Sequence, residues 1–142
     1  MVGFVGETDQ DFNESLEFVK KIGFSKVHIF PYSIRSGTRA EKMQGHLPKH
    51  IKQNRASKME AVCKSESKKF LESMIGKTQK VLFEKEKSAE YHQGYTPNYT
   101  LVKVSRTSAD VSLRREMRVV LIIGIEKDYC IGKIIDTQED LI

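Results

Sequence analysis

The chain has 142 residues, a formal net charge of +5, 39% hydrophobic residues and 30% charged residues. This length suits one domain, or one small domain with an additional segment. The longest apolar run, residues 119–125, is far too short to span a membrane as a helix, so we expect no membrane span. Acidic side chains at positions 7, 9 and 11 do not fit a secretory signal peptide, and we expect a cytoplasmic protein.

The two cysteines, Cys63 and Cys130, are far apart in the sequence. Neither has a second cysteine, a histidine or a carboxylate at the spacing of a metal site. Isolated cysteines of this kind are typical of structural thiols in a reducing compartment. The sequence therefore predicts no metal site in this chain.

A helix is predicted over Asp9–Ile22, where apolar side chains recur at helical spacing. Thr8 is a favourable N-cap, and Asp11 stands three residues later in the capping-box position. Gly23 follows the last apolar residue and is expected to end the helix.

Short strands are predicted on both sides of this helix, at residues 2–5 and 26–32. A strand, a helix and a strand within about 30 residues form a parallel, right-handed β-α-β unit. Such a unit cannot cover both faces of its own sheet. We therefore expect it to be part of a larger α/β barrel; pairing of its open edges with a second copy would give a homodimer.

A second, longer helix is predicted from Pro48 to about residue 75, because proline suits the first turn of a helix. Residues 47–75 carry seven basic and three acidic side chains and hold most of the positive excess. This charge suits a basic surface for a polyanion such as RNA, or a solvated helix face. We interpret the segment as a connecting basic helix whose apolar side chains pack against a core.

After Gly76 the hydrophobic pattern changes from helical to strand-like. The predicted strands are residues 80–86, 99–105, 118–125 and 128–135, and the turn-rich links are residues 93–98 and 105–110. Lys127-Asp128 is expected to form a tight hairpin turn. Four or five short strands in about 65 residues indicate a small antiparallel β-barrel.

Two motifs lie at the ends of the first two predicted strands. Gly3-Phe4-Val5-Gly6-Glu7-Thr8 leads into the helix; glycines there let a ligand approach the backbone, although they also suit an ordinary turn. The second motif, residues 32–40, contains Arg35 followed by a Gly37 turn. A guanidinium at this place holds a carboxylate or phosphate by two hydrogen bonds, or forms a surface salt bridge.

Taken in order, these motifs resemble the radical S-adenosylmethionine methylthiotransferases, which put a methylthio group on tRNA adenosines. The family pattern Gly-Phe-Pro-Gly-Glu-Thr matches residues 3–8 except at Val5, and Tyr-Ser-x-Arg-Pro-Gly-Thr-x-Ala matches residues 32–40 except at Ser36. The resemblance implies that residues 1–46 are the last part of the radical S-adenosylmethionine barrel. It also implies that bound S-adenosylmethionine lies near Gly3, Gly6, Glu7 and Arg35.

Residues 76–142 resemble a TRAM domain, the small OB-like β-barrel that is appended to these enzymes. Matching stretches include Gly94-Tyr95-Thr96-x-Asn98-Tyr99, in which position 97 is not part of the pattern, and Gly132-Lys133-Ile134-Ile135. In this domain class, rings stack on bases and cations pair with phosphates. The resemblance implies RNA contacts by Lys77, Tyr91, Tyr95, Tyr99, Lys103 and Arg106, although aromatic residues are also needed for the core of any barrel.

The fold class expected from this resemblance is mixed α and β, with the end of a barrel at 1–46, a linker helix at 47–75 and a small barrel at 76–142. It implies the C-terminal segment of an enzyme that adds a 2-methylthio group to a modified adenosine near the anticodon, with tRNA and the remainder of the barrel as partners. Residues 28–35 look most like the threonylcarbamoyladenosine branch.

The parent family uses [4Fe-4S] clusters and S-adenosylmethionine. Because the cluster needs three closely spaced cysteines, we expect no cofactor to be held within this segment and no activity from it alone. Two alternatives remain open: a stand-alone RNA-binding module without catalysis, and an inactive truncated product.

Overall fold

The computed structural model describes residues 1–85, 88–106 and 111–135. The chain divides into two compact units, Met1–Phe70 and Leu71–Ile142. The division falls inside the long helix that the sequence predicts as a connector, so most of this helix belongs to the first unit. Among the described residues, no helix combines the length and the apolar character needed to cross a membrane.

The first unit contains two α-helices, α1 (Asp9–Ile22) and α2 (Lys49–Glu72), with a turn of 3-10 helix at Ala40–Lys42. The helix predicted over Asp9–Ile22 is confirmed, and the end of α2 at Glu72 lies three residues before the predicted one. Gly23 ends α1 in the left-handed conformation, with φ 67°. Its N–H donates to the Val19 carbonyl at 3.0 Å, as expected of a glycine C-cap.

The predicted capping box at the start of α1 is confirmed. Asp11 N donates to Thr8 Oγ1 at 3.1 Å, and Thr8 N donates to Asp11 Oδ2 at 2.8 Å. Thr8 Oγ1 also donates to Asp11 Oδ2 at 2.6 Å. These hydrogen bonds to Thr8 stabilise the carboxylate and lower the pKa of Asp11 below its ordinary value.

Replacing Thr8 by alanine is expected to destabilise α1 by about 1 kcal/mol, the usual cost of losing an N-cap hydroxyl. Because the pKa of Asp11 is lowered in the folded state, its contribution is present at neutral pH and is lost as the pH falls through that pKa. Acid should therefore lower the protection of α1 amides, relative to their intrinsic exchange rates at each pH, more in the natural chain than in Thr8→Ala. The Thr8→Ser variant keeps the hydroxyl and should behave like the natural chain; identical exchange in all three would contradict this prediction.

The core of the first unit is formed by α1, α2 and the segment around Val2. Its buried members are Val2, Phe12, Val19, Ala56, Met59 and Cys63. The two strands predicted beside α1 meet in one parallel bridge, in which Val2 N donates to Phe30 O at 3.0 Å and Tyr32 N to Val2 O at 2.8 Å. The parallel direction agrees with the prediction, but strands do not extend beyond the bridge, since two short strands without further partners are marginally stable.

Apolar side chains of the first unit remain open to solvent on the surface. Phe18, Phe30 and Ile34 are each more than half exposed. A groove of about 650 Å³ runs over the same unit and is lined by apolar residues such as Phe18, Phe24 and Met59. Part of the apolar surface of this unit is therefore open to solvent, while its place in a larger barrel stays a prediction.

The second unit is a closed barrel of five strands in the order β1-β2-β3-β5-β4. The strands are β1 (Thr78–Phe83), β2 (Tyr91–Tyr95), β3 (Leu101–Ser105), β4 (Met117–Glu126) and β5 (Tyr129–Ile134). The predicted small barrel is confirmed, and a five-stranded closed barrel of this size is OB-like. Four neighbouring pairs are antiparallel, but β3 and β5 are parallel, which the prediction of an antiparallel barrel did not include.

Side chains alternate between the barrel interior and its surface. Those buried most completely are Val81, Phe83, Val102, Val120, Ile122 and Cys130. The predicted turn at Lys127-Asp128 joins β4 to β5, with Lys127 at φ 51°, as a tight hairpin turn requires. Glu86, at which the first predicted strand of this unit ends, and residues 107–110 of a predicted link lie outside the described residues.

Strand β2 differs from the prediction, which places part of it in the link at residues 93–98. Gly94 and the polar residues around it are typical of turns. In the structure Gly94 faces inward beside β1, and it pairs with Phe83 and Val102 of the neighbouring strands. Gly94 therefore allows a close approach between β2 and β1. Besides forming turns, glycine commonly has this role in a sheet.

Candidate functional sites

Three of the four residues predicted near the cofactor form one hydrogen-bonded turn at the start of α1. Gly3 N donates to Glu7 Oε2 at 2.8 Å, and Gly6 N donates to the Gly45 carbonyl at 3.1 Å. Gly3 and Gly6 have φ 72° and 77°, in the left-handed region that favours glycine. At Gly3 a side chain would also meet Lys52. The structure thus brings Gly3, Gly6 and Glu7 together.

Arg55 of α2 completes this turn and was not predicted as a site residue. Its guanidinium donates to the Glu7 carbonyl at 2.9 Å, to Glu7 Oε2 and to Asp9 Oδ1 at 2.7 Å, and it lies 5.4 Å from the Phe12 ring centroid. Arg55 is only 5% exposed and the Glu7 side chain 14%. The Glu7 carboxylate is therefore shared between the Gly3 amide and a buried cation, and it anchors the turn.

Arg35 lies on an exposed segment and does not take part in this network, all of whose residues fall within the described range 1–85. The Arg35 carbonyl accepts hydrogen bonds from Thr38 Oγ1 at 2.8 Å and Thr38 N at 3.4 Å. Gly37, at φ 79°, donates its N–H to Glu41 Oε2 at 2.8 Å. The predicted turn is present and presents the Arg35 side chain to solvent, while its ligand remains a prediction.

An aromatic cluster surrounds Tyr32. Its ring packs edge-on against Phe4, with centroids 5.1 Å apart, stacks on His46 at 6.2 Å and faces Lys52 Nζ at 5.6 Å. His46 Nε2 lies 3.2 Å from the Glu41 carbonyl and donates to it, because a carbonyl oxygen only accepts. Within the described chain, Tyr32 Oη and His46 Nδ1 are buried without a hydrogen-bond partner. Buried polar atoms in this state are suited to receive polar groups of a ligand.

The residues of this chain do not fit an iron–sulfur cluster. Such clusters are held by closely spaced cysteine thiolates. Cys63 and Cys130 belong to different units, and burial raises the pKa of both thiols, which opposes the thiolate form. In the part of the chain that the structure describes, no group of three His, Cys, Asp or Glu residues is placed to hold a metal ion.

The outward face of β2 and β3 carries three of the residues predicted to contact RNA: Tyr91, Tyr95 and Lys103. Lys103 pairs with Gln93 at the centre of the two strands. Its Nζ lies 5.3 Å from the Tyr91 ring centroid and 3.9 Å from that of Tyr129 on β5, so two rings hold the ammonium by cation–π interaction.

Tyr129 was not predicted as part of this face. It is largely buried, and its hydroxyl hydrogen-bonds the Glu126 carboxylate. That hydrogen bond, together with burial and the nearby negative charge, raises the pKa of Tyr129 to about 12. Tyr129 therefore stays neutral at physiological pH and supports Lys103 as an uncharged ring.

The other predicted RNA-contacting residues lie at different places on the barrel. Tyr99 is in the loop between β2 and β3 and is 85% exposed. Arg106 directly follows β3, where its N–H donates to the Glu90 carbonyl at 2.8 Å. Lys77 directly precedes β1. It lies at the other end of β1 from Leu82, which pairs with Tyr95 of β2. The structure thus groups five of the six residues on the β2–β3 hairpin or beside it and separates Lys77.

Curated relatives match most of the chain. A threonylcarbamoyladenosine tRNA methylthiotransferase of Thermotoga maritima is 45% identical over 84 residues, which are 59% of this chain and 19% of that protein. A tRNA-2-methylthio-N(6)-dimethylallyladenosine synthase of Rickettsia canadensis is 36% identical over 112 residues, 78% of this chain and 25% of the relative. A synthase of the same name from Acinetobacter baumannii is 39% identical over 85 residues, 60% of this chain and 18% of the relative.

No family model matches the chain. The matched part amounts to between about a fifth and a quarter of the length of these relatives. The relatives include both threonylcarbamoyladenosine and dimethylallyladenosine enzymes, so the threonylcarbamoyladenosine branch stays a prediction. The predicted resemblance itself is confirmed, because the curated relatives that match the chain are tRNA methylthiotransferases.

Proposed function

We propose that this chain supplies the tRNA-binding barrel and part of the S-adenosylmethionine barrel of a cytoplasmic tRNA methylthiotransferase. In the intact enzyme, a 2-methylthio group is added to a modified adenosine near the anticodon. The observation that supports this role most directly is the OB-like barrel, whose β2–β3 face presents Tyr91, Tyr95 and Lys103. This strand pair is the one by which OB-folds bind oligonucleotides.

The barrel would serve as a TRAM domain. Aromatic rings on its face are available to stack on unpaired bases, and basic side chains to pair with phosphates. Lys103 is held in place by two rings, so little side-chain freedom is lost when it pairs with a phosphate. The names of the relatives, all of which are tRNA-modifying enzymes, support tRNA as the polyanion that is bound.

Residues 1–46 of the first unit would form the end of the S-adenosylmethionine barrel. Their exposed apolar side chains, Phe18, Phe30 and Ile34, suit a surface that the remainder of that barrel covers. The turn at Gly3 and Gly6 and the buried polar atoms of Tyr32 and His46 are compatible with a polar cofactor. Bound S-adenosylmethionine would provide the radical and methyl chemistry, while the remainder of the barrel would supply the cluster cysteines.

A stand-alone RNA-binding module remains a second candidate, because the second unit has its own closed core. Val81, Val102, Val120 and Ile122 are completely buried within the barrel. A barrel of this kind needs no catalytic partner to present its β2–β3 face. Both candidate functions predict RNA binding. Only the first predicts that methylthiolation activity is restored when this chain is combined with a fragment that contains the rest of the S-adenosylmethionine barrel.

The proposal predicts that the 142-residue chain binds an unmodified tRNA transcript, with an affinity that falls steeply as the salt concentration rises. Replacing Lys103 by glutamine removes one cation from the β2–β3 face. The expected result is weaker binding and a salt dependence whose slope falls by about one, as for the loss of one phosphate contact. Fluorescence anisotropy of labelled tRNA between low and moderate potassium chloride concentrations measures both quantities.

Lys21→Gln is the matched control, since it removes the same charge from an exposed position on α1 in the first unit. It should leave the slope nearly unchanged. Equal effects of the two substitutions would show that the β2–β3 face is not the binding surface. Failure of the natural chain to bind tRNA at low salt would contradict the proposed function itself.

A further inference from the structure

Two concave pockets lie side by side on the barrel and share Leu82 and Glu84 as a common wall. The first, of about 550 Å³, is largely apolar and is also lined by Tyr95, Tyr99 and Met117. The second, of about 500 Å³, is also lined by Lys85, Arg114 and Arg115. An apolar, aromatic cavity and a basic cavity are therefore adjacent on the same surface.

Large apolar side chains of the first pocket are exposed although the barrel core is complete without them. Tyr99 is 85% exposed, Met117 62% and Leu82 49%. Leu82 pairs with Tyr95 on one side and with Met117 on the other, so the three side chains project from neighbouring strands at one level of the barrel. Residues that contribute so little to the core, yet are held next to each other, form a surface suited to a planar ligand.

The loop that presents Tyr99 is well ordered by hydrogen bonds. Thr96 N donates to the Thr100 carbonyl at 3.1 Å, and Thr100 N donates to Thr96 Oγ1 at 3.0 Å. Asn98 Oδ1 accepts hydrogen bonds from the hydroxyls of both threonines. These bonds hold Tyr99 at φ 61°, a left-handed conformation that is unfavourable for an aromatic residue, while its ring points to solvent.

The second pocket contains a residue in the same unfavourable conformation. Arg115 has φ 68°, and its N–H donates to the Phe83 carbonyl at 2.9 Å, which fixes it to the end of β1. Of the described residues, Lys127 is the remaining one other than glycine that has a positive φ. The tight turn between β4 and β5 requires this conformation. Each pocket is thus lined by one residue with strained backbone, held in a turn that Tyr99 N closes on the Thr96 carbonyl and Glu116 N on the Leu113 carbonyl, both at 2.9 Å. Strain of this kind clusters at ligand sites.

The chemistry of the two pockets differs in a way that matches the two parts of a nucleotide. A base stacks on tyrosine rings and packs on Met117 and Leu82, whereas a phosphate pairs with Arg114 and Arg115. The Glu84 carboxylate borders both pockets. The exocyclic amino group of a base in the apolar pocket would donate to this carboxylate, while Lys85, Arg114 and Arg115 outnumber it in the second pocket.

We propose that these adjoining pockets form one site for an unpaired nucleotide of RNA, with its base against Tyr95 and Tyr99 and its phosphate on Arg114 and Arg115. The inference rests on the proposed RNA-binding function and locates a base-reading site on it. Of these four residues, both arginines lie outside the predicted RNA-contacting set. The site is separate from the ring–cation–ring arrangement of Tyr91, Lys103 and Tyr129.

The test uses the 142-residue chain and fluorescein-labelled hexaadenylate, compared with an abasic hexamer of the same sugar-phosphate backbone. The natural chain should prefer hexaadenylate. Tyr99→Gly should bind hexaadenylate roughly tenfold more weakly, the usual effect of losing one stacked base. Tyr99→Phe keeps the ring and should keep the affinity. Arg114→Gln combined with Arg115→Gln should weaken the binding of both oligomers.

Thermal unfolding of the same variants separates binding from folding. Glycine relieves the left-handed strain at position 99, so Tyr99→Gly should be at least as stable as the natural chain while it binds more weakly. Equal affinity of the natural chain for the two hexamers, or unchanged RNA affinity in Tyr99→Gly, would overturn the site and assign the apolar pocket to a protein partner. If tRNA binding persists in that case and depends on Lys103, the proposed function stands without this site.

Discussion

Replacing Arg55 by leucine is expected to destabilise the first unit by about 3 kcal/mol. The substitution leaves the Glu7 carboxylate, which is mostly buried, without its cation and removes the hydrogen bonds to Glu7 and Asp9. Removing one partner of a buried ion pair is costly because the other charge stays away from water. The expected value lies at the lower end of the usual range, since the Asp9 carboxylate is 94% exposed and water screens that part of the network.

Hydrogen exchange followed by mass spectrometry during urea unfolding tests this prediction for each unit. Amides of α1 should exchange faster in Arg55→Leu, while those of β1 to β5 should keep their protection. Lys58→Leu is the matched control, because it removes a cation one turn later at an exposed position of the same helix. Arg55→Leu combined with Glu7→Leu should recover part of the loss by removing the stranded carboxylate. Equal protection of α1 in Arg55→Leu and Lys58→Leu would contradict the structural role of Arg55.

The helices could be predicted closely because their limits depend on local chemistry. Thr8, Asp11 and Gly23 form the caps of α1 through hydrogen bonds within a few residues of each other, so their pattern is visible in the sequence. The same holds for the turn at Lys127-Asp128, where two residues suffice to reverse the chain.

The role of Arg55 could not be predicted in this way, because its partner Glu7 is 48 residues away. The sequence assigns Arg55 to a basic helix that is either an RNA-facing surface or a solvated face. One signal was present: Arg55 lies at helical spacing between Ile51 and Met59, on the side of α2 that faces the core. A cation inside an apolar stripe indicates a buried ion pair rather than a surface charge.

The candidate sites also could be predicted only where they depend on residues close together in sequence. The motif at residues 3–8 singled out Gly3, Gly6 and Glu7, and these residues share one turn in the structure. Met117 lines the pocket of Tyr99, and Arg114 and Arg115 line the adjoining pocket. These positions depend on how β1, β2 and β4 pair, and pairing across a barrel joins residues that are far apart in sequence. The parallel contact of β3 with β5 could not be predicted for the same reason.

Replacing Gly94 by alanine is expected to destabilise the barrel by about 3 kcal/mol, the upper end of the range for overpacking. A Cβ atom at this position would overlap the Leu82 carbonyl oxygen and lie 2.8 Å from the Leu82 carbonyl carbon and from Val81 Cγ1. Most of the obstruction is backbone, so no change of rotamer relieves it, and β2 must move away from β1. This movement would separate Leu82 from Tyr95 and open the proposed base pocket as well.

Gly124→Ala provides the matched control for Gly94→Ala. Gly124 lies on β4 next to the register shift, and an added Cβ would meet nothing within 4 Å. Alanine there should leave the stability unchanged or raise it slightly, because it reduces the freedom of the unfolded chain. Urea unfolding of both variants measures the difference, and exchange of β1 and β2 amides locates it. If the two substitutions had equal effects, the close approach of β2 to β1 would not be a constraint on the barrel, and the reason given for glycine in an otherwise strand-like segment would be wrong.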